Sequence, residues 1–160
     1  MPSPYARYVT GRDAVAVMAE TIVKTRALVA PFTPERFERA YADGKWSARE
    51  LLIHLAHAEL VFGLRLRWAL SDPAYVIQPF DQDAWLALDR GGLDGQGALA
   101  LFSFSRAFNL GLAKKMTAED RARTIKHPEQ GEITIEDVLV SIAGHELHHL
   151  AHFQQIASLP

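Results

Sequence analysis

The chain has 160 residues, of which 49% are hydrophobic, and its 17 basic and 19 acidic side chains give a formal net charge of -2. This length predicts one domain over residues 1–160, and the hydrophobic share excludes a disordered chain. Because the charges are mixed along the sequence without a basic stripe, we expect no nucleic-acid partner.

The chain contains no cysteine, which excludes disulfides, thiolate metal ligands and a cysteine nucleophile. Any bound metal must therefore be held by His, Asp or Glu. The N-terminal segment lacks the apolar run of a signal peptide, and no stretch reaches about 18 apolar residues. We therefore expect a cytoplasmic protein with no membrane partner.

Periodicity predicts four long helices and no convincing set of strands. The first helix runs over about residues 12–30, and a short helical piece follows with Pro34 at its first position. The sequence SARE at residues 47–50 is a capping box that starts the second long helix, which ends near Leu70.

The second half of the chain continues the helical pattern up to a last helix that is capped by Thr134 and ends near Ser158. Between these helices we expect a short helical piece at 83–88, a third long helix at about 96–115, one or two turns at 117–123 and a loop at 126–132. Four amphipathic helices with modest connections predict an all-α protein built as a helix bundle.

The last helix carries the sequence AGHELHHLAHFQQ, in which four histidines fall within eight positions. On a helical wheel, His149 lies inside the apolar face and His145 lies on its edge, whereas His148 and His152 lie on the polar side. His145 and His149 are one turn apart, so their imidazoles can bind one ion together.

The second long helix offers two more histidines. His54 lies away from the best solvent-exposed face, and His57 is the competing candidate. Which of them meets the last helix depends on packing that the periodicity does not show. This helix is apolar over most of its circumference, which indicates burial on two sides and favours a homodimer.

The residues from His145 to His149 match H-E-x-x-H, the pattern in which two histidines bind zinc and the glutamate acts as general base in proteases. A protease needs a third ligand further along, but only His152 follows, and the extended motif fails there and at Gln155. The protease interpretation is therefore disfavoured. Glu146 lies on the apolar side, and three roles stay open for it: a hydrogen-bond partner of a metal ligand, a catalytic base or a packed structural residue.

Two stretches, KWSARELLIHLAHAE at 45–59 and GHELHHLAHFQQI at 144–156, resemble in order and spacing the DinB-like (YfiT-like) family of proposed metalloenzymes. The resemblance implies an up-down-down-up four-helix bundle that is often a homodimer. It also implies a divalent metal, commonly zinc or nickel, with three histidine ligands that correspond here to His54, His145 and His149.

The chain departs from the family pattern at two positions. His152 stands where the family more often has Gln, which allows a different or additional ligand. His57 stands where the family often has an acidic residue, so no role is carried over to it. A closed structural site would need a fourth protein ligand, for which the candidates are Glu59, Asp81, Asp83 and His57.

Characterised members of the family include transferases that use low-molecular-weight thiols and a thiol-dependent isomerase. Three imidazoles leave an open metal position, where a thiol would lose its proton and a water would have a pKa near 7. We therefore expect an enzyme that acts on a small molecule, foremost a metal-dependent thiol S-transferase with a borrowed thiol cosubstrate. The alternatives are a hydrolase that uses metal-bound hydroxide and a non-catalytic metal- or small-molecule-binding bundle.

Overall fold

A computed structural model describes residues 3–160, and its helices follow the predicted pattern closely. A short 3-10 turn, Ala6–Tyr8, precedes the first long helix. The helices are α1 (Ala14–Val29), α2 (Pro34–Phe37), α3 (Ala48–Ser71), α4 (Gln82–Asp89), α5 (Gly95–Ala113), α6 (Ala118–Ala122) and α7 (Ile135–Ser158). None of the helices in the described part of the chain is long and apolar enough to span a bilayer.

Capping boxes fix the starts of the two helices that carry the histidines. At α3 the Ser47 hydroxyl accepts the Glu50 N–H at 3.2 Å, while the Glu50 carboxylate accepts the Ser47 N–H at 2.9 Å. Thr134 and Asp137 form the same reciprocal pair at α7. Caps of this kind each stabilise a helix by about 1 kcal/mol, so both starting points are specified locally.

The predicted loop over residues 126–132 is wrong, because this region contains part of a β-hairpin. Strand β1 (Thr124–His127) pairs antiparallel with β2 (Gly131–Thr134), and the turn closes at Gly131 with a φ of 79°. Each strand has four residues, too few for an alternating pattern to be recognised beside the turn residues HPEQG. The hairpin leads directly into α7.

The core divides into two clusters, and their members show the direction of every long helix. Core I contains the start of α1, the ends of α3 and α5 and the start of α7, including Val15, Met18, Leu66, Ala113 and Leu139. Core II contains the opposite ends of the same helices, including Val29, Leu52, Leu99 and Phe153. Helices α1 and α7 therefore run from core I to core II and α3 and α5 run back, which confirms the up-down-down-up bundle.

The packing of the helices brings the two histidine-bearing elements together. Helix α7 packs against both α1 and α3, and α5 packs against α3 and α1 on the other side of the bundle. The inner face of α7 consequently meets α3 near one end of the bundle, and at its middle Glu146 meets Thr21 of α1 and Arg106 of α5.

Candidate metal centre

Three buried imidazoles converge between α3 and α7. The Nε2 atom of His145 lies 2.9 Å from Nε2 of His54 and 3.1 Å from Nε2 of His149. One ring nitrogen from each of the three histidines lies within 4.8 Å of the other two. The structure thus brings together the residues that the sequence singled out as metal ligands, and it selects His54 over His57 on α3.

The three imidazoles are uncharged at neutral pH. Burial, followed by the charge of His57, lowers the pKa of His54 to about 4. Burial and the neighbouring imidazoles hold the pKa values of His145 and His149 far below the ordinary histidine value. A neutral imidazole has one N–H and one lone pair, and its lone pair is what a metal ion binds.

The cluster cannot satisfy its own hydrogen-bonding groups. Nε2 of His145 can donate its single proton to only one of the two nitrogens that face it. Within residues 3–160, Nδ1 of His54 is also buried with no hydrogen-bond partner. A cation would accept all three lone pairs at once, so the donor set fits a divalent metal.

Aromatic rings hold the imidazoles in place. His54 packs against Trp46 with ring centroids 4.8 Å apart, and Tyr5 meets His145 edge-on at 5.0 Å. The Tyr5 backbone can approach α7 this closely because residue 144 is glycine, where a Cβ atom would lie 2.2 Å from the Tyr5 carbonyl oxygen. The N-terminal segment therefore forms one wall of the site.

A cavity of about 320 Å³ opens beside the cluster and reaches His149. This volume suits a small molecule. Aromatic and polar side chains line the cavity, among them Tyr5, Tyr41, Lys45, Trp46, Gln82, Asp83, His148 and His152. An ion held by the three histidines would thus lie next to a substrate-sized space.

His148 and His152 are less exposed than the helical wheel indicates. The segment before α1 covers His148, whose Nδ1 lies 3.2 Å from the Tyr8 hydroxyl. His152 stacks flat on Tyr41, with ring centroids 4.0 Å apart. A wheel shows only the helix itself, so it could not show that other segments fold over the polar side of α7.

Most of the candidates for a closing fourth ligand are engaged elsewhere. Nε2 of His57 lies 2.6 Å from the Asp89 carboxylate, and Asp81 caps α4 by accepting the N–H groups of Asp83 and Ala84. Asp83 itself lies on the cavity wall. Among the residues described, the three-histidine group includes no carboxylate, which leaves room for a ligand from solution.

Glu146 lies in a buried ion network that the sequence reasoning did not identify. Its carboxylate accepts hydrogen bonds from the Arg106 guanidinium and the Thr21 hydroxyl. Arg106 also donates to Glu59 at 2.6 and 3.0 Å, and Asn109 donates to the same carboxylate at 2.9 Å. These five residues are all buried, and we call them the arginine network.

The arginine network bears on the predicted catalytic role of Glu146. Burial raises the pKa of Glu146, and Arg106 opposes that rise. Glu146 is fully buried and is not among the residues that line the cavity. This environment favours a structural role over that of a general base. A sequence signal was available, since Glu59 and Glu146 both lie on apolar helix faces and required a buried basic partner.

Comparison with known proteins identifies relatives over most of the chain. YfiT of Bacillus subtilis, a proposed metal-dependent hydrolase, is 29% identical over 145 residues, covering 89% of this chain and 82% of that protein. A proposed metal-dependent hydrolase of Oceanobacillus iheyensis is 31% identical over 122 residues, covering 76% of this chain and 71% of that protein.

Solved structures agree with this likeness. The YfiT structure, described as an unusual four-helix bundle, superposes with a TM-score of 0.80 at 28% identity over 89% of this chain and 83% of that chain. A mycothiol-dependent maleylpyruvate isomerase superposes at 0.73 with 11% identity over 88% of this chain and 59% of that chain, a likeness of fold alone. The DinB superfamily model matches residues 18–153, and the chain therefore belongs to the DinB superfamily.

Proposed function

We propose that this protein is a metal-dependent enzyme in which His54, His145 and His149 hold a zinc or nickel ion, and that it transfers a small thiol to an electrophilic substrate. The observation that carries the proposal is the convergence of three neutral imidazoles beside a cavity of about 320 Å³. Relatives described as metal-dependent hydrolases support the metal dependence.

A divalent ion would supply Lewis acidity here, lowering the pKa of a thiol or water placed against it. The three imidazoles contribute neutral donors, so the ion keeps most of its charge for that purpose. Tyr5 packs against the ring of His145 and Trp46 against that of His54, which restrains both rings. The chain has no cysteine, so the thiol must come from solution.

The choice of a thiol as nucleophile has two supports. Transfer of a thiol needs no protein base once its proton is lost, and Glu146 is held within the arginine network. The same fold also occurs in a mycothiol-dependent isomerase, so this bundle is compatible with thiol chemistry.

A hydrolase is the second candidate, favoured by the description of the 29% and 31% identical relatives. His148 and His152 line the cavity, and burial lowers the pKa of each. Both are therefore neutral bases at pH 7 and could accept a proton from an attacking water.

The two functions can be separated with metal-loaded protein. A panel of small thiols is offered with an epoxide or aryl halide, and an activated ester is assayed in parallel; metal-stripped protein and His54→Ala are the controls. Metal-dependent thioether formation supports the transferase. Ester hydrolysis without thioether formation would favour the hydrolase, and neither reaction at full metal occupancy would indicate a binding protein.

We also propose that the protein is a homodimer that pairs through α3 and α5. Apolar side chains lie exposed on these two adjacent helices, including Leu60, Leu64, Leu101, Phe104 and Phe108. Phe104 is 82% exposed and Phe108 is 67% exposed, and a cluster of apolar side chains this exposed is typical of a protein interface.

Light scattering should give a molar mass twice that of the chain for wild type, and a mass equal to that of one chain for Phe104→Asp. A monomeric wild type would refute the pairing.

A further inference from the structure

A second group of imidazoles lies on the outer side of His149. One ring nitrogen from each of His148, His149 and His152 lies within 4.8 Å of the other two. Unlike His54 and His145, His148 and His152 are only partly buried and line the cavity, so an ion from solution can reach them.

His149 presents a different ring nitrogen to each group. Its Nε2 lies 3.1 Å from Nε2 of His145, and its Nδ1 lies 3.3 Å from Nδ1 of His152. Two nitrogens that each lie about 2.0–2.1 Å from a tetrahedral zinc ion are roughly 3.3–3.4 Å apart. The spacing of the two Nδ1 atoms is therefore that of two ligands of one ion.

Each of the two outer imidazoles has a partner that restrains its ring. The Tyr8 hydroxyl engages Nδ1 of His148, which leaves Nε2 as its free donor atom. The flat stacking on Tyr41 restrains the ring of His152. Partners of this kind, which fix the ring and leave one nitrogen free, are typical of histidines that bind metals.

We propose that His148, His149 and His152 form a second, weaker site for a divalent transition metal at the mouth of the cavity, with His149 shared between the two sites. Binding of this outer ion displaces the Nδ1 proton of His149 to solvent. The outer ion would lie in the cavity that these three histidines line. The proposal shares His149 with the proposed function but does not depend on a reaction.

The experiment is a titration of metal-free protein with zinc by calorimetry and with cobalt by visible absorption. Wild type should bind two ions per chain, the second at least ten-fold more weakly. The double variant His148→Ala and His152→Ala should bind only the tight ion. The double variant His54→Ala and His145→Ala should bind only the weak ion. His127→Ala, which removes a histidine of strand β1, should still bind two.

His152→Gln tests whether His152 binds the second ion or only orients the ring of His149. The Gln side-chain oxygen can still accept the Nδ1 proton of His149, but an imidazole ligand is lost. The second ion should therefore disappear while the affinity of the first stays within two-fold. The proposal would be overturned if wild type bound only one ion and lost it in the His54→Ala and His145→Ala double variant, or if a second ion survived loss of both His148 and His152. If wild type bound only one ion and kept it in that double variant, the proposed function would be overturned and the outer site would stand.

Discussion

Helices α3 and α7 each contribute to two buried polar regions. The regions differ in whether their polar groups can all find hydrogen-bond partners within the region. In the arginine network, one guanidinium lies between the carboxylates of Glu59 and Glu146, and Asn109 and Thr21 supply further hydrogen bonds. In the three-histidine cluster, nitrogens face nitrogens, and Nδ1 of His54 has no partner within residues 3–160.

The difference distinguishes a structural cluster from a binding site. Buried polar groups are nearly always paired, so buried imidazole nitrogens that cannot all satisfy one another fit a site for a cation. In the arginine network each buried polar side chain has a hydrogen-bond partner, and one guanidinium serves two carboxylates, of which Glu146 has a raised pKa. His145 and Glu146 are adjacent on one helix, yet His145 belongs to a cluster that fits a metal ion and Glu146 to a network whose partners all come from the protein.

The largest expected effect is the loss of metal when the histidine cluster is removed. The triple variant His54→Ala, His145→Ala and His149→Ala should reduce tightly bound metal from one ion per chain to almost none in elemental analysis. A chelator should lower the melting temperature of wild type but not of this variant, because a tight ion stabilises a fold by roughly 4 kcal/mol at a thousand times its Kd.

His57→Ala is the matched control for that experiment, since it removes a buried histidine of α3 that bonds Asp89 instead of joining the cluster. This variant should retain the ion. Unchanged metal content in the triple variant would refute the ligand assignment.

Breaking the arginine network should act on stability instead of metal content. Arg106→Met leaves two buried carboxylates without their cation, a change that costs about 3–5 kcal/mol in urea unfolding. The pair of Arg90, which is 60% exposed, with Glu50 gives the control, and Arg90→Met should cost no more than about 1 kcal/mol. The folded fraction of Arg106→Met should still contain one ion per chain.

A triple variant keeps the test usable if Arg106→Met alone does not fold. Adding Glu59→Met and Glu146→Met to Arg106→Met removes every charge of the network, which should restore much of the lost stability. Loss of the metal from these folded proteins would show that the two regions are not independent.

The sequence predicted most of the fold because its signals are local. The capping boxes at Ser47 and Thr134 and the apolar faces of the long helices placed the elements to within a few residues. The hairpin was missed because its four-residue strands are too short to carry a pattern and are stabilised by pairing with each other.

The site was predicted only in part. The wheel of α7 placed His145 and His149 inward, and the family resemblance implied His54. Periodicity alone could not decide between His54 and His57, because it does not contain the axial register of α3 against α7. Arg106 was missed because it sits in an apolar helix and its partners are 40 and 47 positions away. The covering of His148 by the N-terminal turn was missed because it depends on contacts distant in sequence.

Glu146→Gln tests whether the network has any share in the chemistry. The amide keeps the size of the carboxylate but loses its charge, which should cost about 1–3 kcal/mol of stability by weakening the bond to Arg106. The reaction rate of metal-loaded protein should stay within two-fold, as measured below the unfolding temperature. A large loss of rate at full metal occupancy would instead make Glu146 the catalytic base.

The smallest effects should come from the two threonines of α1 that approach Glu146. The Thr21 hydroxyl lies within hydrogen-bonding distance of its carboxylate and of the Val17 carbonyl, whereas the Thr25 hydroxyl is 3.5 Å from the carboxylate, at the limit of a hydrogen bond. Both side chains are fully buried, and Val matches Thr in shape, so packing is the same in each variant. Thr21→Val should cost about 1–2 kcal/mol in urea unfolding and Thr25→Val about 0.5 kcal/mol or less. Equal costs would mean that the Thr21 hydroxyl does not stabilise the Glu146 carboxylate more than the Thr25 hydroxyl does, and the contrast with the histidine cluster would then be weaker than the geometry indicates.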